Sequence, residues 1–187
     1  MRSLIYSMSV SLDGFIAGPN GEIDWSAPDA ELHRFHNQQV RESGTHLLGR
    51  GLYETMLYWE TAGQNRSLPD HELEFARIWK ALPRVVFSRT LKEAEGSARL
   101  VKDGAVEQTA RLKEEPGKDL AVGGAGLAAT LIEAGLIDDF RLFVIPIVLG
   151  GGTPYFPALE RPLNLELIET RSFDSPAVYV RYRLRGP

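Results

Sequence analysis

The stretch Asp119-Leu-Ala-Val-Gly-Gly-Ala-Gly-Leu-Ala-Ala-Thr-Leu-Ile-Glu-Ala-Gly135 carries a short apolar strand through a double glycine straight into a helix. Glycine lets the backbone take φ > 0 and approach a ligand closely, while the free N–H groups and positive end of a helix N-terminus suit an anion. Leu127, Leu131 and Ile132 recur at helical spacing, and Gly135 stands where a left-handed C-cap belongs. The same turn also serves close helix–sheet packing alone. The spacing is not the full G-x-G-x-x-G fingerprint and no Walker lysine follows, so the stretch by itself admits both readings.

Working outward, residues 2–10 read as a strand and 11–27 as a loop punctuated by Asp13-Gly14, Gly18-Pro19-Asn20-Gly21 and Trp25. A helix is expected from Pro28, with Leu32, Phe35 and Val40 on one stripe and Asp29 and Glu31 at its N-terminal end. A strand over 45–48 follows, then Gly49-Arg50-Gly51 and a helix carrying Leu52, Met56 and Trp59. A further helix carries Phe75, Trp79 and Leu82. Residues 85–87 form a short strand ending at Ser88-Arg89. A charged stretch and a helix over 103–112 lead to the strand and glycine helix quoted above.

Beyond it the pattern changes to strands near 140–148, 163–168 and 177–184. In the last of these, Val178, Val180, Tyr182 and Leu184 face one way and Tyr179, Arg181, Arg183 and Arg185 the other, so one face is expected to be buried. Pro146 inside an apolar run predicts a bulge or edge position. Strands alternating with helices, then consecutive strands, predict an α/β fold: a mainly parallel sheet with helices on both faces and antiparallel C-terminal members.

At 187 residues, one domain spanning 1–187 is expected. The net charge of −4, with no block of like charge, argues against nucleic-acid or acidic-membrane partners. Absence of cysteine excludes disulfides and thiolate chemistry. His33 and His36 stand three apart on a helix but without an H-E-x-x-H pattern. His33, His36, His46 and His71 are therefore read as solvated residues, with no metal site. No basic leader and no run of ~20 apolar residues is present, and a cytoplasmic protein is the expectation.

Ligands of open α/β sheets bind outside the carboxyl ends of the strands. Three such ends share a chemistry here: Gly49-Arg50, Ser88-Arg89 and Gly123-Gly124-Ala125-Gly126. Two guanidiniums, a hydroxyl and free helix N–H groups suit a ligand with several phosphates. No acidic residue follows either arginine-bearing strand, and an arginine beside a ribose 2′-phosphate selects NADP over NAD, so NADPH is the expected cofactor.

The chain resembles the dihydrofolate reductase-like superfamily, in the branch similar to the C-terminal reductase domain of bacterial riboflavin biosynthesis. The resemblance is carried by Ser11-Leu-Asp-Gly-Phe-Ile-Ala17, Leu48-Gly-Arg-Gly-Leu-Tyr-Glu-Thr55, Val85-Val-Phe-Ser88, Ala121-Val-Gly-Gly-Ala-Gly126 and Gly151-Gly-Thr-Pro-Tyr-Phe156. It implies that Gly123 and Gly124 form the family's glycine pair, often joined by a cis peptide, with the helix start at Ala125, Gly126 and Leu127 on the pyrophosphate. It places Gly49 and Arg50 on the cofactor phosphates, Ser88 and Arg89 near the adenosine ribose, and Ser9, Ile16 and Ala17 at the nicotinamide. Residues 12–25 resemble a mobile loop that closes over the site.

On the substrate side, the resemblance aligns Glu31 with the acidic residue that assists protonation, with Trp25, Leu32 and Phe35 beside the substrate. A carboxyl in a partly apolar cleft would hold its proton more readily. The same residue also complements the helix dipole. Residues 82–84 supply no clear counterpart to the arginine that clamps folate, so the implied activity is NADPH-dependent reduction of a small heterocycle whose identity stays open. A non-catalytic NADP(H)-binding module and a structural homodimer built on the C-terminal strands are the alternatives.

Overall fold

A computed structural model describes residues 1–64 and 67–185. Among these residues, ten strands and six α-helices run in chain order, with a 3-10 turn at Asp24–Ser26. The first half comprises β1 (Leu4–Ser11), β2 (Phe15–Ala17), α1 (Ala30–Glu42), β3 (Thr45–Gly49), α2 (Arg50–Met56), α3 (Tyr58–Thr61), α4 (Asp70–Ala81) and β4 (Arg84–Phe87). The second comprises β5 (Ala98–Val101), α5 (Ala105–Glu114), β6 (Leu120–Gly123), α6 (Ala125–Glu133), β7 (Asp139–Ile145), β8 (Thr153–Pro154), β9 (Leu165–Ser172) and β10 (Val178–Leu184).

Eight strands form one sheet in the order β5-β4-β3-β6-β1-β7-β10-β9, and β2 pairs with β8 in a separate ribbon. Every pairing from β5 across to β7 is parallel, while β10 runs antiparallel to both β7 and β9. The α/β architecture with a mainly parallel sheet and antiparallel C-terminal strands is thus observed. Helices lie on both faces. Leu112 of α5 and Leu127, Ala128, Leu131 and Ile132 of α6 pack with Leu4, Tyr6, Leu120 and Val122 on one side. On the other, Phe75 and Trp79 of α4 pack on Leu48 and Val86, and Leu32 and Phe35 of α1 on Phe143 and Tyr179.

Several boundaries differ from the sequence reading, each for a local reason. α1 begins at Ala30 rather than Pro28, because the Asp29 carboxylate accepts the Leu32 N–H at 2.8 Å and caps the helix there. The helix expected through Leu52 and Trp59 is two short helices, divided at Leu57, whose N–H is shared between Tyr53 and Glu54 carbonyls. Pro146 ends β7 instead of forming a bulge within it, and Ile147 N–H turns back onto Ile145 C=O at 2.8 Å.

β5 forms in the stretch read only as charged, and β9 runs past 168 to Ser172. Burial on β10 is not confined to the Val178 face, because Tyr179 on the other face is fully buried while Val178 is exposed. The α6 terminus matches its reading: Gly135 has φ +66°, its N–H meets Ile132 C=O, and Leu136 N–H meets Leu131 C=O at 2.9 Å, a Schellman closure.

Candidate active site at the strand ends

β3 lies between β4 and β6, so Gly49, Ser88 and Gly124 leave the sheet side by side. Gly124 has φ +95°, a conformation that side chains rarely adopt. A Cβ there would lie 3.6 Å from Gly49 N and 3.7 Å from Gly49 Cα. A Cβ on Gly123 would come within 2.2 Å of Leu52 Cδ2, and one on Gly49 within 3.5 Å of Leu127 Cβ. Two strand-to-helix turns therefore pack backbone to backbone.

Neither Gly49 nor Gly124 supplies a side-chain cap, so the helix starts remain available to an outside acceptor. A Cβ on Gly126, one residue into α6, would meet nothing within 4 Å, so packing does not require glycine there. The described residues contain no cis peptide bond. The turn expected to be cis is made instead by the positive φ of Gly124.

Arg50, half-exposed, donates to Glu54 Oε1 at 2.7 Å and to Thr90 Oγ1 at 2.8 Å, tying the end of β3 to the end of β4. Ser88 is buried, and its hydroxyl accepts N–H groups of Thr90 at 3.3 Å and Leu91 at 3.1 Å, fixing the turn that presents Arg89 and Thr90. Arg89 projects into solvent and donates to Asp103 Oδ1 at 3.0 Å. Beside it lies a cavity of about 340 Å³ lined by Ser88, Arg89, Lys102, Asp103, Glu107 and Thr130, among others. Thr90, Lys102, Asp103 and Thr130 were not identified from the sequence. The ends of β3 and β4 carry no acid, as read, but β5 brings Asp103 to the same place.

On the other side of β6, Ser9 of β1 is partly buried opposite Phe143 of β7. Ile16 packs against the main core, and Ala17 pairs with Thr153. The loop read as mobile is tied down at its base. Asp13 accepts the Ser11 hydroxyl at 2.7 Å and the N–H groups of Leu149 and Gly150 at 3.1 and 2.7 Å. These bonds, the Ser11 hydroxyl foremost, hold the exposed Asp13 carboxyl below the usual carboxylate range. Gly152 touches the Ala17 carbonyl so closely that a Cβ would lie 2.0 Å from it. Tyr155 stacks on Tyr6 with ring centroids 4.2 Å apart, and its hydroxyl donates to the Tyr6 carbonyl at 2.9 Å. Trp25, half-buried, donates from its indole to Glu22 C=O at 2.9 Å.

The residues expected beside a substrate occupy different surroundings. Leu32 and Phe35 are buried with Phe143, Ala177 and Tyr179, and the Arg171 guanidinium lies 4.6 Å above the Phe35 ring. They seat α1 on the sheet. Glu31 accepts the Asp174 N–H at 2.8 Å and pairs with Arg171 at 3.6 Å, so charge and backbone surround it rather than an apolar cleft.

The histidines are packed rather than solvated. His33 is buried against Trp59, His71 and Phe75, with Asn37 Oδ1 3.1 Å from its Nδ1. Desolvation, then His71, lowers its pKa. His36 lies 3.9 Å from the Phe143 ring and His46 5.5 Å from Trp79, and burial pushes each down to about 4. Among the described residues, no group of three His, Cys, Asp or Glu is placed to hold a metal ion.

A parallel sheet extended by antiparallel C-terminal strands, with glycine turns at adjacent strand ends, is the dihydrofolate reductase-like α/β fold. Consistent with that class, the chain is similar to dihydrofolate reductase of Enterococcus faecalis, solved with NADP(H). The TM-score is 0.67 at 17% identity, covering 98% of this chain and 97% of that one. A protein of Shewanella sp. PV-4 assigned to riboflavin biosynthesis superposes with a TM-score of 0.77 at 24% identity over the whole of both chains. The chain belongs to the RibD C-terminal domain family, whose model matches residues 2–179. It is 38% identical to the uncharacterized protein YyaP of Bacillus subtilis (strain 168), over 99% of this chain and 96% of that one.

Proposed function

We propose that this protein is an NADPH-dependent reductase of a small heterocyclic substrate, similar to 5-amino-6-(5-phosphoribosylamino)uracil reductase of riboflavin biosynthesis or to dihydrofolate reductase. The observation that carries the reading is the uncapped start of α6 at Gly124, lying against Gly49 and opening over Gly126 onto free space. A helix start without a cap, beside a glycine that packing does not demand, fits a pyrophosphate. In this reading Arg50 and Thr90 serve the phosphates, Ser88 and Arg89 the adenosine ribose, and Ser9, Ile16 and Ala17 the nicotinamide. Bound there, NADPH supplies the hydride, and the chain's task is to position it and exclude water.

Asp13, Gly152 and Tyr155 act in this reading by fixing the base of the loop that lines the nicotinamide end. Titration with NADPH and NADP+, followed by turnover assays on pyrimidine and pterin acceptors, tests the proposal. Failure to bind either nucleotide rejects it. A second reading, a nucleotide-binding module without turnover, is favoured by one observation: Glu31 is engaged by Arg171 and Asp174 instead of facing a cleft. Binding without turnover on any acceptor supports that reading.

The proposal includes a homodimer. β9 lies at the edge of the sheet and exposes Leu167 and Ile168, a strand suited to meeting a second copy. Light scattering that gives a monomer mass rejects this part. A cytoplasmic location goes with a soluble nucleotide cofactor, and cell fractionation tests it.

A further inference from the structure

β4 and β5 are parallel neighbours with Phe87 opposite Val101, so Ser88-Arg89 and Lys102-Asp103 emerge from the sheet level with one another. Arg89 Nε donates to Asp103 Oδ1 at 3.0 Å, with side-chain exposures of 83% and 75%. An ion pair this exposed adds little to stability. Nor does Asp103 cap the following helix. Gly104, with φ +75°, occupies that position and no side chain caps α5. The carboxylate instead forms part of the wall of the 340 Å³ cavity, which Arg89, Lys102 and Glu107 also line.

An arginine at a nucleotide ribose favours the 2′-phosphate, whereas a carboxylate there accepts the 2′-hydroxyl and repels the phosphate. This cavity holds both, in contact. Resting on the reading of the strand ends as a dinucleotide site, we propose that Asp103 sets the choice between phosphorylated and unphosphorylated cofactor. Its carboxylate competes with the 2′-phosphate for Arg89 and offers an acceptor to an unmodified ribose. Arg89 and Lys102 supply the charge that admits NADPH. Asp103 limits how strongly NADPH is preferred and leaves NADH a measurable share of the site.

The test is the affinity of the full-length protein for NADPH and NADH, in wild type, Asp103→Asn, Arg89→Ala and the double variant. Removing a like charge a few ångströms from a phosphate dianion is expected to tighten NADPH binding about tenfold at low ionic strength, less as salt rises. NADH affinity is expected to stay level or fall, and the NADPH gain to shrink when Arg89 is already absent. Circular dichroism confirms that the exposed substitutions leave the fold intact. A wild type that prefers NADPH, with the NADPH-to-NADH ratio unmoved in Asp103→Asn, overturns this inference and leaves the site reading standing. A wild type that binds neither nucleotide overturns both.

Discussion

Substituting Gly126 separates a ligand role of the glycine turn from a packing role. A side chain at Gly124 must adopt φ +95°, and a Cβ at Gly123 collides with Leu52, so variants at either position perturb the protein whatever the site binds. Gly126 is different: it lies in α6 with ordinary φ, and a Cβ there meets nothing within 4 Å. Gly126→Val should therefore change stability by less than about 0.5 kcal/mol, since valine and glycine differ by only a few tenths in helix propensity.

An isopropyl group over the α6 start would nevertheless hold a pyrophosphate away from the N–H groups. Losing one charge-assisted hydrogen bond costs about 1.5–3 kcal/mol, or roughly 10- to 150-fold in affinity. Urea unfolding and NADPH titration on the same preparation read the two effects separately. Native stability with native NADPH affinity would refute the placement of the pyrophosphate at α6 and reduce the double glycine to a packing device.

Four further outcomes follow from the geometry. Gly124→Ala should destabilise the fold by about 1–3 kcal/mol through its positive φ, measured by urea denaturation. Asp139→Ala should cost about 3–5 kcal/mol, because the buried Asp139 joins Arg141 at 3.0 Å to Arg181 at 2.8 Å and its loss leaves Arg141 buried without its carboxylate. The pKa values of His36 and His46, lowered to about 4 by burial, mean that the unfolded chain binds more protons between pH 6.5 and 4. Stability should be complete above about pH 6.5 and fall with acidification across that window, by at most about 1.4 kcal/mol per pH unit per histidine, with a shallower slope in His36→Phe. Glu31→Gln should leave NADPH affinity unchanged and alter reduction by less than about tenfold, where loss of a general acid would cost roughly 10²-fold.

Features governed by neighbours in sequence were legible before the structure. The Gly123-Gly124 turn and the Gly135 cap depend on backbone conformations that few residues besides glycine adopt, and both stand where read. The apolar stripe on α1 was also legible, but a stripe does not say what it faces. Leu32 and Phe35 meet Phe143 and Tyr179 instead of an open cleft. His36 and His46 looked solvated because a polar residue type says nothing of the aromatic side chains that tertiary packing lays against it.

Asp103 was missed for a different reason. Ala-Arg-Leu-Val is too short and too charged to announce β5, and without β5 there is no register to bring Asp103 opposite Arg89. Once Phe87 is set against Val101, the two positions after them coincide. That single pairing adds a carboxylate to strand ends that the sequence presented with two guanidiniums, a hydroxyl and helix N–H groups.

The central claim, that these strand ends hold a phosphorylated dinucleotide, is tested most directly by titrating the wild-type protein with NADPH and NADH under identical conditions. If Arg89, paired with Asp103, meets the 2′-phosphate as proposed, NADPH should bind at least about tenfold more tightly, the lower end of one charge-assisted contact. Equal affinities, or no saturable binding of either nucleotide, would contradict the account.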